Sequence, residues 1–117
     1  MLPDTAESEE ITPQQLAQLL EESAEIFLVD CREKDEWDFN RIERAKHWPL
    51  SKFPEFPELG SALLASTDRP MVIYCHHGVR SLHLTRWLRH QGRQEVYSVR
   101  GGIDLWSREI DPSVPLY

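Results

Sequence analysis

Cys75 is followed by His76-His77-Gly78-Val79-Arg80-Ser81, an order of residue types that suits an anion-binding turn beside a nucleophile. Gly78 permits the positive φ that lets successive backbone amides converge on one point, and a helix starting just beyond adds its unpaired N-terminal N–H groups. Arg80 adds a fixed positive charge. A thiol in that setting ionises below its free value of about 8.5. A fall to roughly 6.5 would raise the thiolate fraction at pH 7 from ~3% to ~75%, while intrinsic nucleophilicity would drop about tenfold. The net gain is a few-fold. The larger use of such a loop is therefore to hold an anion against the sulfur: a charged terminal sulfur carried on Cys75, or an anionic donor or leaving group such as sulfite.

The bland readings set the scale. Cysteine is among the most buried residue types, so Cys75 by itself could be a core residue. Cys31 is assigned to the core at a strand end; its alternative is a resolving thiol, which demands approach to disulfide-compatible distance. For His76 and His77 no metal is expected, because neighbours on extended backbone point apart and no second Cys/His pair has ligand spacing. They are assigned to a substrate rim, where partial protonation near neutral pH would strengthen the cradle. Arg86, Arg89 and His90 read as the solvated face of a helix, and Trp37, Trp48, Trp87 and Trp106 as core or rim aromatics. Glu33, Asp35, Glu36 and Asp38 read as charge at a helix start.

The elements that must position this loop follow from patterning. Glu25 to Asp30 and Met71 to Cys75 are short apolar runs of the kind buried on both faces of a parallel sheet, and Glu95 to Val99 is a third strand candidate. Thr12-Pro13-Gln14-Gln15 is a helix start, with Thr12 as N-cap, Gln15 closing a capping box and Ile11 stapled to Leu16. Leu82 to Gln91 reads as a helix stopped by Gly92, and Ile103 to Arg108 as a short helix after the breaker Gly101-Gly102. Trp48 to Pro57, rich in proline and aromatics, reads as loop. Short apolar runs do not by themselves separate strand from buried helix, but the alternation argues for an open α/β sheet whose ligands bind beyond the carboxyl ends of the strands. Cys75 lies at such an end.

A chain of 117 residues suits one domain able to bury a core without disulfides or a structural metal. Residues 1–10 are expected to form a flexible acidic arm, and residues 11–117 the domain. The formal charge of -7 argues against nucleic acid and anionic lipid as partners. The start lacks the pattern of a signal peptide, no run has membrane-spanning length, and two cysteines suit a reducing compartment. A cytoplasmic monomer is expected.

Cys75-His76-His77-Gly78-Val79-Arg80-Ser81 resembles the active-site loop of the rhodanese family. Three further segments agree in order: Val29-Asp30-Cys31-Arg32-Glu33, Glu36-Trp37-Asp38-Phe39 and Arg100-Gly101-Gly102-Ile103-Asp104-Leu105-Trp106. The resemblance implies an open, mainly parallel central sheet flanked by helices on both faces. It also implies a sulfurtransferase without cofactor, in which Cys75 becomes a persulfide. Its donor would be thiosulfate or a low-molecular-weight persulfide, and its acceptor cyanide, a thiol, or a thioredoxin-like or other protein. By the same resemblance His76, His77, Gly78, Val79 and Arg80 would bind the sulfur or its oxyanion, with Arg80 recognising an anionic donor. Asp30 and Arg32, with Ser81, would support the loop from behind. Four residues separate Cys75 from Arg80; related cysteine-dependent phosphatases have one more, which makes phosphatase the weaker enzymatic alternative. A non-enzymatic interaction module on the same fold is the other. The chain departs from the family at Asn40-Arg41-Ile42 and Glu43-Arg44-Ala45, where Gly-His-Ile and Pro-Gly-Ala are common, and Asn40 is expected to tolerate a left-handed conformation.

Overall fold

The computed structural model describes residues 2–3, 8–52 and 69–117. In chain order these hold β1 (Glu10–Ile11), α1 (Pro13–Glu21), β2 (Phe27–Asp30), α2 (Lys34–Phe39), β3 (Lys46–His47), a 3-10 turn (Leu50–Lys52), β4 (Met71–Tyr74), α3 (Val79–His90), β5 (Val96–Val99) and α4 (Gly102–Glu109). The strands form one sheet in the order β1-β5-β4-β2-β3, and every pairing is parallel. No helix among the described residues is long and apolar enough to cross a membrane.

Side chains alternate across β4, the central strand, because successive residues of a strand face opposite sides. Val72 and Tyr74 join Ile11, Leu16, Leu19, Ile103 and Trp106 in a core under α1 and α4. Met71, Ile73 and Cys75 join Val29, Cys31, Leu84, Leu88 and Val96 in a second core under α3. The sheet is thus covered on both faces, which is why all four residues of β4 and all four of β5 are buried.

The capping box of α1 forms as expected: Gln15 N donates to Thr12 Oγ1 at 3.1 Å and Thr12 N to Gln15 Oε1 at 2.7 Å. Three expectations need adjustment. The helix expected from Leu82 begins at Val79, because Gly78, at φ 96, serves as its N-cap, so Arg80 and Ser81 belong to its first turn. The arm expected over residues 1–10 is tied down from Ser8 onward: Glu10 is in β1, Ser98 N donates to Glu9 O at 2.9 Å, and Arg89, expected to face solvent, donates to Ser8 O at 2.9 Å. Residues 1 and 4–7 of that arm, and residues 53–57 of the expected loop, lie outside the described residues. Finally, Asn40 is extended (φ -155, ψ 163), and it is Arg44 that takes the left-handed conformation (φ 74).

The Gly101-Gly102 pair sets how closely α4 approaches β4. Gly102 has φ 60, and a Cβ there would collide with the carbonyl oxygens of Cys75 and His76. The close approach lets Ile103 N donate to Cys75 O at 2.9 Å and Asp104 N to His76 O at 3.1 Å. We expect Gly102→Ala to lose more than about 1 kcal/mol of stability, since both φ and space are incompatible with a side chain; urea unfolding measures it, and an unchanged midpoint would contradict it.

Candidate active site

Cys75 leaves β4 at the carboxyl edge of the sheet. Its sulfur accepts from Gly78 N at 3.1 Å and Ser81 N at 3.4 Å, and Ser81 Oγ lies 3.4 Å away, itself 2.7 Å from Ser98 Oγ. Ser81, expected only to support the loop, therefore touches the sulfur directly. The start of α3 also aims the positive end of its dipole at this point. The loop amides are oriented from behind. In a trans peptide the C=O and N–H point in opposite directions, so engaging Cys75 O and His76 O on α4 points the N–H groups of His76 and His77 away from α4.

The second thiol is part of this arrangement. β2 and β4 are in parallel register with Asp30 opposite Tyr74, and Cys31 N donates to Tyr74 O at 3.1 Å. Cys31 and Cys75 thus follow as neighbours on one face, both free and both buried. A hydrogen bond from the Cys31 thiol is the leading influence that pulls Cys75 down to about 5, against the opposing effect of burial; Ser81 and Gly78 add to the lowering. Cys31 is pushed far up, chiefly because its proton is held by Cys75 and because it is buried. The sequence leads one to expect the loop and Arg80 to ionise Cys75; the leading contributor is Cys31, the residue assigned to the core.

Arg80 does not stand free at the rim. Its Nη1 and Nη2 donate to Glu36 Oε1 and Oε2 at 2.7 and 2.9 Å, a bidentate pair. With Tyr117 Oη donating to Glu36 Oε2 at 2.6 Å, this holds the Glu36 carboxyl down to about 2, Arg80 being the largest cause. The acidic cluster thus does begin a helix, and one of its members also neutralises the arginine of the loop. An anionic donor must share Arg80 with Glu36.

Asp30 and Arg32 are completely buried and paired at 2.7 Å. Arg32 Nε lies 3.0 and 3.1 Å from the two Asp30 oxygens. Its remaining donors reach Asn40 Oδ1 and Asn40 O, both at 2.7 Å, and Tyr117 Oη at 2.9 Å. Asn40 Nδ2 in turn donates to Pro115 O at 2.6 Å. The pair therefore braces the 40–42 segment and the C-terminal tail, and reaches toward the loop through Tyr117, whose ring stacks on His76 at 3.8 Å. The polar side chain at position 40 is what engages Arg32 here, where the family commonly has glycine.

His76 and His77 do not diverge as expected. Their rings stack at 3.8 Å, because the chain is turning rather than extended. With Asp104 they bring one ligand atom each within 4.8 Å of one another. Val79 presents an exposed side chain. Neither Glu36 nor Tyr117 was singled out from sequence as part of the site. For Cys31 the signal in the sequence is its position just past one apolar run, as Cys75 closes the other, which leaves the resolving-thiol alternative open.

A parallel α/β sheet thus holds a buried thiol among backbone donors at its carboxyl edge, beside a helix N-terminus. The comparisons make the assignment specific: residues 12–109 match the rhodanese-like domain family, and the chain belongs to it. It is 35% identical over 99 residues to thiosulfate sulfurtransferase GlpE of Haemophilus influenzae, spanning 85% of this chain and 88% of that protein. It is 34% identical over 94 residues to the chloroplastic rhodanese-like/PpiC domain-containing protein 12 of Arabidopsis thaliana, covering 80% of this chain but 31% of that longer protein. Among solved structures, a rhodanese-like domain protein of Staphylococcus aureus superimposes with a TM-score of 0.73 at 28% identity, covering 93% of this chain and 98% of that one.

Two expectations follow. Ultraviolet titration of thiolate absorbance should show Cys75 ionising well below the free value of about 8.5, and Cys31→Ala should move that midpoint upward, since it removes the largest lowering influence; an unmoved midpoint would place the cause in the loop alone. Arg32→Ala should cost roughly 3–5 kcal/mol, because it strands a buried Asp30 carboxylate; chemical denaturation checks it, and a loss below 1 kcal/mol would be inconsistent with a buried pair.

Proposed function

We propose that this chain is a rhodanese-type sulfurtransferase in which Cys75 carries sulfane sulfur as a persulfide. The observation that supports it most is the Cys75 sulfur held by the Gly78 and Ser81 amides in a loop with four residues before its arginine. In the first half-reaction the Cys75 thiolate attacks the outer sulfur of thiosulfate. The sulfur–sulfur bond of the donor breaks, and sulfite leaves with its electron pair. The outer sulfur, now bonded to Cys75, keeps the negative charge, and the loop amides stabilise it. In the second, cyanide or a thiolate attacks that outer sulfur and returns Cys75 as thiolate.

Cys75 is 1% exposed, so the site admits small reagents or partners that displace its rim. A low-molecular-weight persulfide is a second class of donor, and a thiol of a thioredoxin-like or other protein a second class of acceptor. The acidic chain has no need of nucleic acid or membrane, and two free thiols suit a cytoplasmic monomer.

Intact mass sampled at early times after mixing with thiosulfate should show a species heavier by about 32 Da, one sulfur atom, which cyanide added at that point removes as thiocyanate; Cys75→Ser should do neither. Absence of any sulfur uptake or transfer would reassign the chain to a binding module. Arg80 and Glu36 give a finer test: Arg80→Ala should raise KM for thiosulfate several-fold with less effect on an uncharged donor, and Glu36→Gln should lower it. If both variants raised KM equally, the pair would be structural and not a selector of donor charge.

A further inference from the structure

The sulfur of Cys31 has no role in the transfer just described, yet it is buried beside the reacting atom. Neighbouring positions on paired strands sit about 4.8 Å apart, inside the roughly 4.4–6.8 Å between Cα atoms that a disulfide spans. Cys31 follows Asp30 as Cys75 follows Tyr74 in the register of β2 and β4, and both side chains enter the same core. Both sulfurs are buried there, and the neighbouring Cys31 thiol favours the ionised form of Cys75. A small apolar residue would fill this place without that interaction.

We propose that Cys31 is a second reacting thiol, which attacks the inner sulfur of the Cys75 persulfide and expels the outer sulfur as hydrosulfide, closing a Cys31–Cys75 disulfide. This rests on the persulfide reading of Cys75. The balance is internal. The bond between Cys75 Sγ and the outer sulfur breaks, and the bond between Cys31 Sγ and Cys75 Sγ forms. The outer sulfur takes the bonding pair and the proton from Cys31 and leaves as HS⁻, reduced by two electrons, while the two thiols are oxidised to the disulfide. No external oxidant enters, because the sulfane sulfur is the oxidant.

Charge bears on when the step is open. While Cys75 is a thiolate, the adjacent negative charge and burial keep the Cys31 proton on its sulfur. Loading sulfur moves the negative charge from Sγ to the terminal atom, among the loop amides, and away from Cys31. Cys31 then approaches from the adjacent strand, whereas Gly78 and Ser81, which would hold the outer sulfur, belong to the loop and α3. A prompt acceptor takes the sulfur first. Without one, the domain discharges it as hydrosulfide and rests as a disulfide, restored to the dithiol by a thiol reductant. Cys31 thereby gives the site a second outcome, sulfide release.

The test uses the intact, prereduced chain under anaerobic conditions, with thiosulfate and no acceptor. Wild-type protein should release close to one equivalent of sulfide per chain and end about 2 Da lighter than the reduced form, with a Cys31–Cys75 cross-link in non-reducing peptide maps. Cys31→Ala and Cys31→Ser should instead retain the gain of about 32 Da and release at least tenfold less sulfide. Wild-type protein that holds a stable added sulfur, with neither sulfide nor cross-link, would overturn the inference and leave Cys75 as the carrier. If neither wild type nor either variant took up or released sulfur, the persulfide reading itself would fall, and this inference with it. The wild-type arm decides even if a variant folds poorly.

Discussion

Two backbone hydrogen bonds, from Ile103 N and Asp104 N at the start of α4 to the carbonyls of Cys75 and His76, carry much of what the site can do. They engage the carbonyls of the first two loop residues on the α4 side and so fix the peptide planes that lead into the turn. They are available only because Gly102 lets a helix N-terminus touch a strand end that a Cβ would hold away. A loop built this way costs little reorganisation when charge appears on the sulfur, because its amides are already oriented by bonds made elsewhere.

Around this backbone frame lie two charged pairs of different character. Asp30 and Arg32 are wholly buried and fully engaged, and they join β2 to the 40–42 segment and the C-terminal tail; this is a pair whose removal by halves is costly. Arg80 and Glu36 are partly exposed, with Arg80 side-chain accessibility of 36%, so their pairing is open to competition from a solvated anion. The second pair stands at the rim of the loop and the first within the architecture, although both meet at Tyr117, whose hydroxyl contacts Arg32 and Glu36.

Much of the fold was legible. The apolar runs ending at Asp30, Cys75 and Val99 became the three central strands, and the capping residues of α1 behaved as their chemistry requires. The two-residue strands β1 and β3 were not seen, because Glu10-Ile11 and Lys46-His47 are too short to show a period, and only pairing with β5 and β2 makes them strands. The beginning of α3 was placed late for a related reason: Gly78 signals a turn, and only its conformation shows that it also caps the helix.

The sequence by itself determined the family, the candidate thiol and the turn that follows it, because those reside in contiguous residues whose local geometry follows from their types: a cysteine, a glycine that accepts positive φ, and a helix start. Only the tertiary structure decided what faces that cradle. Glu36 meets Arg80 across 44 positions of chain, Tyr117 meets Arg32 across 85, and Cys31 meets Cys75 only because β2 and β4 are neighbours in the order β1-β5-β4-β2-β3. Buried parallel strands have similar apolar sequences on both faces, so nothing local states which two lie side by side. That adjacency, settled by packing of the whole sheet, brings the second thiol to the first.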